Sequence, residues 1–301
     1  MEVAAHAASL RAAGFRGTVA ENEPLAPYTT WRIGGPADLL IDPIDRDDLL
    51  LALRFTHAAR LPCRFLGNGS NLLVRDEGVR GVVLRSRRAL DRVEVDGRRI
   101  DAGAGASLPA VANLAAGRAL AGLEFAAGIP GTVGGALVMN AGWHEHEIGA
   151  VIHEVELALP DGAVETWSRE RCAFGYRTSA LRGGSGIVLR ARFDLRADDP
   201  AAVRARLEAY AASRRANQPT DLPSCGSVFL KPEGDFAGRL IEAAGLKGAR
   251  EGAIEVSPKH ANFFVNLGGG TARDALALIA RVEREVESRF AVRLTREVEV
   301  W

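Results

Sequence analysis

The stretch Ser224-Cys225-Gly226-Ser227-Val228-Phe229 brings a hydroxyl, a thiol and a space-making glycine together, and Ser257-Pro258-Lys259-His260-Ala261-Asn262-Phe263-Phe264-Val265-Asn266 follows with two cations ahead of an apolar run. Ser227 is the candidate acid. A serine hydroxyl is a poor acid in water, so it delivers a proton only when a strong base forms beside it and its neighbours hold it in place. The alternative is a strand-start serine hydrogen-bonded to backbone. Cys225 has no histidine close in sequence to activate it and reads as a buried apolar residue without a catalytic role. Lys259, His260 and Lys231 suit either a diphosphate ligand or ordinary roles as solvated lysines and a structural histidine, and none is taken as catalytic.

Two glycine clusters precede these segments. In Gly67-Asn68-Gly69-Ser70-Asn71, alternate glycines let backbone N–H groups turn towards one point, and Ser70 and Asn71 add donors without bulk. Such a nest suits a pyrophosphate; a hairpin turn built on Asn-Gly is the alternative. The second cluster, Gly128-Ile129-Pro130-Gly131-Thr132-Val133-Gly134-Gly135, runs on through Asn140 and Ala141 to Gly142. Glycines so dense would cost about 1 kcal/mol each relative to alanine inside a helix. Either a dinucleotide packs directly on this backbone, or a buried turn joins helix to sheet. Two nests, with no GxGxxG after a first strand, suggest a flavin dinucleotide outside the Rossmann class.

The elements that must position these groups are short. The spacing predicts a strand over Ala37 to Ile41, a helix capped by Asp47 and running to about Ala59, and strands at Cys63 to Leu66 and Gly81 to Arg85. Asp96-Gly97 and Asp161-Gly162 each predict a tight hairpin with positive φ at both central residues. Ser107 caps a helix ending near Gly122, and Asp199 with Pro200 opens another to about Arg215. A strand over Ser227 to Leu230, a helix from Asp235 to Gly245, and a last helix opened by Thr271 and Asp274 complete the chain. That helix has apolar positions Ala275, Leu278, Val282 and Val286 on one face. Strands with interspersed helices, rather than regular alternation, predict an α+β fold.

The whole chain sets outer limits. At 301 residues it is expected to form two or three compact units. Lys plus Arg and Asp plus Glu both total 38, so no net charge draws it to nucleic acid or an anionic membrane. Three scattered cysteines without CxxC spacing read as reduced thiols of a cytosolic protein, with no metal site. The amino terminus lacks the pattern of a signal peptide, and no window approaches the roughly 20 apolar residues a bilayer needs.

Thr29-Thr30-Trp31-Arg32-Ile33-Gly34-Gly35-Pro36-Ala37-Asp38, with both glycine clusters, resembles the FAD-binding domain of the family that includes vanillyl-alcohol oxidase. With Phe174-Gly175-Tyr176-Arg177-Thr178-Ser179, Ser224 to Phe229 and Ser257 to Asn266 added, residues 25 to 299 resemble the UDP-N-acetylenolpyruvoylglucosamine reductases of peptidoglycan synthesis, in their compact subtype without an extra tyrosine loop. The resemblance implies a two-subdomain FAD-binding domain over 1–197 (about 1–85 and 86–197) and a C-terminal α+β substrate-binding domain over 198–301. It implies FAD as cofactor and NADPH as co-substrate, and an enolpyruvyl ether of UDP-N-acetylglucosamine as the molecule reduced. By the same likeness Arg177 holds the substrate carboxylate, Ser227 gives the proton, and a carboxylate near the C-terminus orients the intermediate. Glu297 takes that last role, although Arg296 stands where the family usually has proline; Glu299, two residues on, is the alternative, since alternation puts both on one strand face.

The cofactor-binding residues implied are Gly67, Asn68, Gly69, Ser70, Asn71, Gly128, Ile129, Pro130, Gly131, Thr132, Gly134, Gly135, Asn140 and Ala141. No second dinucleotide motif is present, which suggests that NADPH enters the cleft of the UDP-sugar and leaves before it binds; parallel lines and mutual competition in steady-state kinetics are the expected signature. Two other readings share the fold: an oxidase or dehydrogenase of an alcohol or 2-hydroxy acid, recognised by rapid electron transfer to oxygen, and a binding protein that has lost turnover. A cytoplasmic enzyme without nucleic-acid or membrane partners is the expectation; oligomeric state is not encoded in any of these signals.

Overall fold

The structure is a computed structural model that describes residues 3–184 and 186–301. It has two compact units, both built from separated segments: residues 1–22, 38–68 and 80–213 form the first, and 23–37, 69–79 and 214–301 the second. The expected division before residue 198 is contiguous, whereas the units interleave, because the segments around Trp31 and Leu73 bury their side chains among C-terminal residues.

In the first unit, helices α1 (Val3–Ala12), α2 (Arg46–Ala58), α3 (Leu108–Gly117) and α4 (Val133–Val138) pack with two sheets around one core. A four-stranded sheet has the order Thr18–Pro24, Pro36–Asp42, Val79–Arg85, Cys63–Leu66. A five-stranded antiparallel sheet has the order Val164–Ser168, Ile152–Ala158, Ile187–Asp194, Arg99–Gly103, Val93–Asp96. Its central strand Ile187–Asp194 is buried at Leu189, Ala191 and Phe193, as a strand with neighbours on both edges requires. Helix α5 (Pro200–Asn217) begins as predicted, with Asp199 accepting from the Ala202 amide at 2.8 Å.

In the second unit, a four-stranded antiparallel sheet has the order Ser224–Ser227, Phe263–Asn266, Ile254–Val256, Arg250–Glu251. Helices α6 (Ala237–Ala243) and α7 (Ala272–Phe290) cover it. Ala275, Leu278, Val282 and Val286 of α7 are all fully buried. Its capping box pairs Thr271 with the Asp274 amide and Asp274 with the Thr271 amide.

Several local expectations shift by a few residues. The cap of α2 is Asp45, whose carboxylate accepts from the Asp48 amide at 2.9 Å; Asp47 lies inside the first turn. Helix α3 stops at Gly117, and Ser107 caps it without a side-chain hydrogen bond. The first hairpin pairs Asp96 with Arg99, so its loop is Gly97-Arg98 and only Gly97 has positive φ, 56°. In the second, Leu159 N bonds Ala163 O and Gly162 sits at φ 85°, giving a three-residue loop with glycine in the left-handed position. The strand predicted over Ser227 to Leu230 instead covers Ser224–Ser227. No helix among the described residues is long and apolar enough to cross a membrane.

Candidate active site

The glycine clusters are close-packed backbone. A Cβ on Gly67 would fall 2.5 Å from Thr132 Oγ1, and one on Gly134 would fall 2.9 Å from Ala104 Cβ. Gly69 has φ 60°, and a Cβ there would fall 2.6 Å from Tyr28 O. Thr132 caps α4 by accepting from Gly135 N, while Val133 N and Gly134 N donate to Ala106 O and Ala104 O. Gly131 O accepts from Leu108 N, the start of α3. The loop Gly128, Ile129, Pro130, Gly131 is thereby fixed between two helix starts. Among the described residues, no protein acceptor meets the backbone N–H groups of Asn68, Gly69, Ser70 and Asn71, nor those of Gly131 and Thr132. Small residues at close approach, with amides that no protein acceptor takes, are what a dinucleotide pyrophosphate needs, so the residues present fit FAD.

The side chains in these clusters serve the protein. Asn68 Oδ1 accepts from Arg87 Nη1 at 3.3 Å, and Asn71 Nδ2 donates to Glu297 O at 3.1 Å. Asn140, 1 % exposed and at φ 42°, donates to Glu147 Oε2 at 2.7 Å and Gly175 O at 3.0 Å, and accepts from Gly149 N at 2.9 Å. Ala141 N bonds Ala136 O, turning the chain out of α4.

Arg177 belongs to the first unit. It lies at φ 54° in a tight turn closed by two bonds between Gly175 and Thr178, and its Nη2 donates to Gly142 O at 3.1 Å. Ser227 and Glu297 belong to the second. Gly226, at φ 80°, lies in the bulge that sets the four residues Ser224 to Ser227 opposite the three from Val265 to Phe263. Beyond it, Val228 O accepts from Glu297 N at 2.8 Å, placing the C-terminal carboxylate residue beside the serine's neighbour. Asn262 secures the same run, accepting from Phe229 N and donating to Phe229 O. Glu299 instead pairs across from Leu72, its N–H on Asn71 O. Both glutamates are half-buried and flank buried Val298, where the chain bends, and only Glu299 lies in a strand. The departure at Arg296 has a local reason: its guanidinium makes a two-pronged ion pair with Glu283 of α7 at 2.6 and 2.7 Å, tying the last segment down.

The remaining candidates have structural partners. Cys225 is buried, and burial, together with the nearby Glu297 charge, pushes its thiol up, away from a nucleophilic thiolate. Burial likewise pushes Cys63 up to about 12 and Cys172 to about 11. Lys259 Nζ donates to Arg215 O at 2.6 Å, and Lys231 Nζ lies 4.4 Å over the Phe236 ring. His260 stacks edge-on against Phe263 and accepts from Asn262 N, and burial lowers its imidazole from the ordinary value. Sequence reasoning missed Asn262, Glu147 and Arg87, whose partners Phe229, Asn140 and Asn68 lie 33, 7 and 19 residues away with no local pattern to pair them.

Residues 37–168 match the family described as FAD binding domain, and residues 218–301 match the family described as UDP-N-acetylenolpyruvoylglucosamine reductase, C-terminal domain. UDP-N-acetylenolpyruvoylglucosamine reductase 2 of Symbiobacterium thermophilum is 49% identical over 285 residues, covering 95% of this chain and 92% of its own. The reductase of Moorella thermoacetica is 46% identical over 301 residues, covering 100% and 99%. The crystal structure of the enzyme from Thermus caldophilus superimposes with a TM-score of 0.82 at 38% identity, covering 95% of this chain and 99% of that one. With relatives of nearly half-identical sequence matched from end to end, and with a backbone that fits FAD, the chain belongs to the UDP-N-acetylenolpyruvoylglucosamine reductase family, whose members use FAD and NADPH.

Proposed function

We propose that the chain reduces the enolpyruvyl ether of UDP-N-acetylglucosamine to UDP-N-acetylmuramate, with Arg177, Ser227 and Glu297 as its catalytic residues. The full-length relatives, all named for that reductase, support this over an oxidase or an inactive binding protein. Bound FAD, reduced by NADPH, supplies the hydride that adds to the terminal alkene carbon. The adjoining carbon then carries negative charge spread into the substrate carboxylate. Arg177 meets that charge with a planar fork of donors, and Ser227 protonates the carbon. Glu297 orients the intermediate. The backbone bond from Glu297 N to Val228 O is the observation that carries the assignment, because it fixes the carboxylate residue next to the proton donor and favours Glu297 over Glu299. The amides of Asn68 to Asn71 and of Gly131 and Thr132, which meet no protein acceptor among the described residues, support a cofactor-binding role for both glycine clusters, while Asn140 and Ala141 beyond them bond to the protein itself. We place the enzyme in the cytoplasm, a reading supported by its three free thiols.

Anaerobic stopped-flow separates the two half-reactions. Ser227→Ala is expected to leave NADPH-driven bleaching of the flavin nearly intact while slowing reoxidation by the enolpyruvyl sugar by about 100-fold or more. Equal loss of both halves removes Ser227 from its role. Arg177→Lys should also damage the second half-reaction, since a point charge does not replace a bidentate fork; unchanged turnover removes Arg177 from the mechanism.

A further inference from the structure

We infer that Asn140 is a positioning residue for Arg177, acting with Glu147 through the carbonyl of Gly175. The inference rests on the role proposed for Arg177. The segments 138–142 and 175–179 are joined at alternate residues: Ser179 Oγ donates to Val138 O at 2.8 Å, Asn140 Nδ2 to Gly175 O at 3.0 Å, and Arg177 Nη2 to Gly142 O at 3.1 Å. Glu147 closes the circuit, its carboxylate accepting from Asn140 and its backbone pairing with Gly142. The ring thus runs from Asn140 to Glu147, to Gly142, to Arg177, through the turn to Gly175, and back to Asn140.

An asparagine is the side chain this ring needs. Its Nδ2 faces a carboxylate and a carbonyl, which only accept, while its Oδ1 faces the Gly149 N–H, which only donates; the amide has one orientation and both of its N–H donors are used. Aspartate would set a second carboxylate against Glu147 and an acceptor against Gly175 O. Space is equally constrained: a Cβ on Gly149 would lie 2.8 Å from Asn140 Oδ1 and 2.6 Å from the Phe174 ring. Arg177 occupies left-handed backbone that a non-glycine residue rarely adopts, so its turn depends on outside bonds to persist. Asn140 supplies one to the first residue of that turn. Its amide therefore acts on the arginine rather than on the cofactor.

The test uses the full-length flavoprotein. Asn140→Ser is expected to lower the rate of flavin reoxidation by the enolpyruvyl sugar about tenfold, since small misplacement of a transition-state group is costly, with flavin content and NADPH-driven reduction unchanged. Combined with Arg177→Lys, it should add less than about twofold, the mark of residues acting as a unit. Amide hydrogen exchange at Thr178, whose N–H closes the turn, should quicken in Asn140→Ser. Glu147→Gln, which keeps an acceptor for Asn140, should stay near the parent rate, while Glu147→Ala falls towards Asn140→Ser; this pair answers the question if Asn140→Ser does not fold. Lost flavin content, equal slowing of both half-reactions, or full additivity with Arg177→Lys overturns the inference. A normal reoxidation rate in Arg177→Lys overturns the role of Arg177 and this inference with it, whereas a slow Arg177→Lys beside a normal Asn140→Ser overturns only the inference.

Discussion

At Gly69 a single missing methyl group governs what the backbone can do. The residue sits at φ 60°, and a Cβ would meet Tyr28 O at 2.6 Å, whereas Gly97, at nearly the same φ, has nothing within 4 Å. Gly69→Ala therefore carries both left-handed strain, about 1 kcal/mol, and a backbone collision that must move the nest. We expect visible flavin absorbance per polypeptide to drop sharply in Gly69→Ala and to be unchanged in Gly97→Ala; equal flavin content in the two variants would sink that reading. His260 gives a pH dependence. Burial lowers its pKa below 6.5, so between the folded value and 6.5 the unfolded chain binds more protons and stability rises with pH. Urea midpoints followed from about pH 8 down to about pH 5 should fall as pH drops through the ordinary histidine range, and should fall less in His260→Gln; identical slopes would exclude the effect. The glycines were legible as close-approach positions from their density alone. The bonds of Asn71 to Glu297 and of Asn140 to Gly175 were not, because those partners lie 226 and 35 residues away in the chain.

Elements were legible where their ends carry local chemistry. The last helix begins at Thr271 and Asp274, as their types and spacing predict, and its buried stripe follows the 3.6-residue period. Removing that cap in Thr271→Ala should cost about 1 kcal/mol, read as a lower urea midpoint with an unchanged slope; a midpoint equal to the parent's would show that packing alone holds the helix start. Errors arose where two candidates lay close together. Asp45 and Asp47 are equally good cap types, and Asp45 wins because its carboxylate also meets Arg16, in an ion pair that also fixes the approach to the helix. The Gly97 hairpin slides by one residue for a similar reason: strand pairing between Asp96 and Arg99 sets the loop, and the turn dipeptide follows it. Ser227 closes its strand instead of opening one, since the Gly226 bulge redirects the chain towards Glu297.

At the scale of the molecule, the second unit is assembled from three stretches of chain. Trp31, Ile33 and Leu73 share a buried cluster with Val228, Phe264 and the inner face of α7. Losing three large apolar side chains from such a core removes about 1.5–3 kcal/mol each, comparable to the whole stability of a small domain. A fragment of residues 198–301 is therefore expected to lack a cooperative unfolding transition, judged by calorimetry or urea titration, and a fragment that unfolds in one sharp step would refute this. The three thiols lie in one or other unit without a disulfide, and burial raises all of them, which fits a chain whose chemistry does not run through sulfur.

The amino-acid sequence by itself determined the α+β class, the two glycine clusters and their fit to a flavin dinucleotide, and the residue types at 177, 227 and 297. Those follow from short-range rules: which residues tolerate a backbone conformation, which face of a helix is apolar, which side chains can hold or give a proton. Only the tertiary structure decided that Glu297 rather than Glu299 lies against the Ser227 run, that Arg296 makes an ion pair with Glu283, and that Asn140 donates to Gly175 O in the turn that holds Arg177. Each of these is a pairing between residues distant in sequence, set by packing and backbone hydrogen bonding across the fold, and no local pattern records which distant partner a side chain meets.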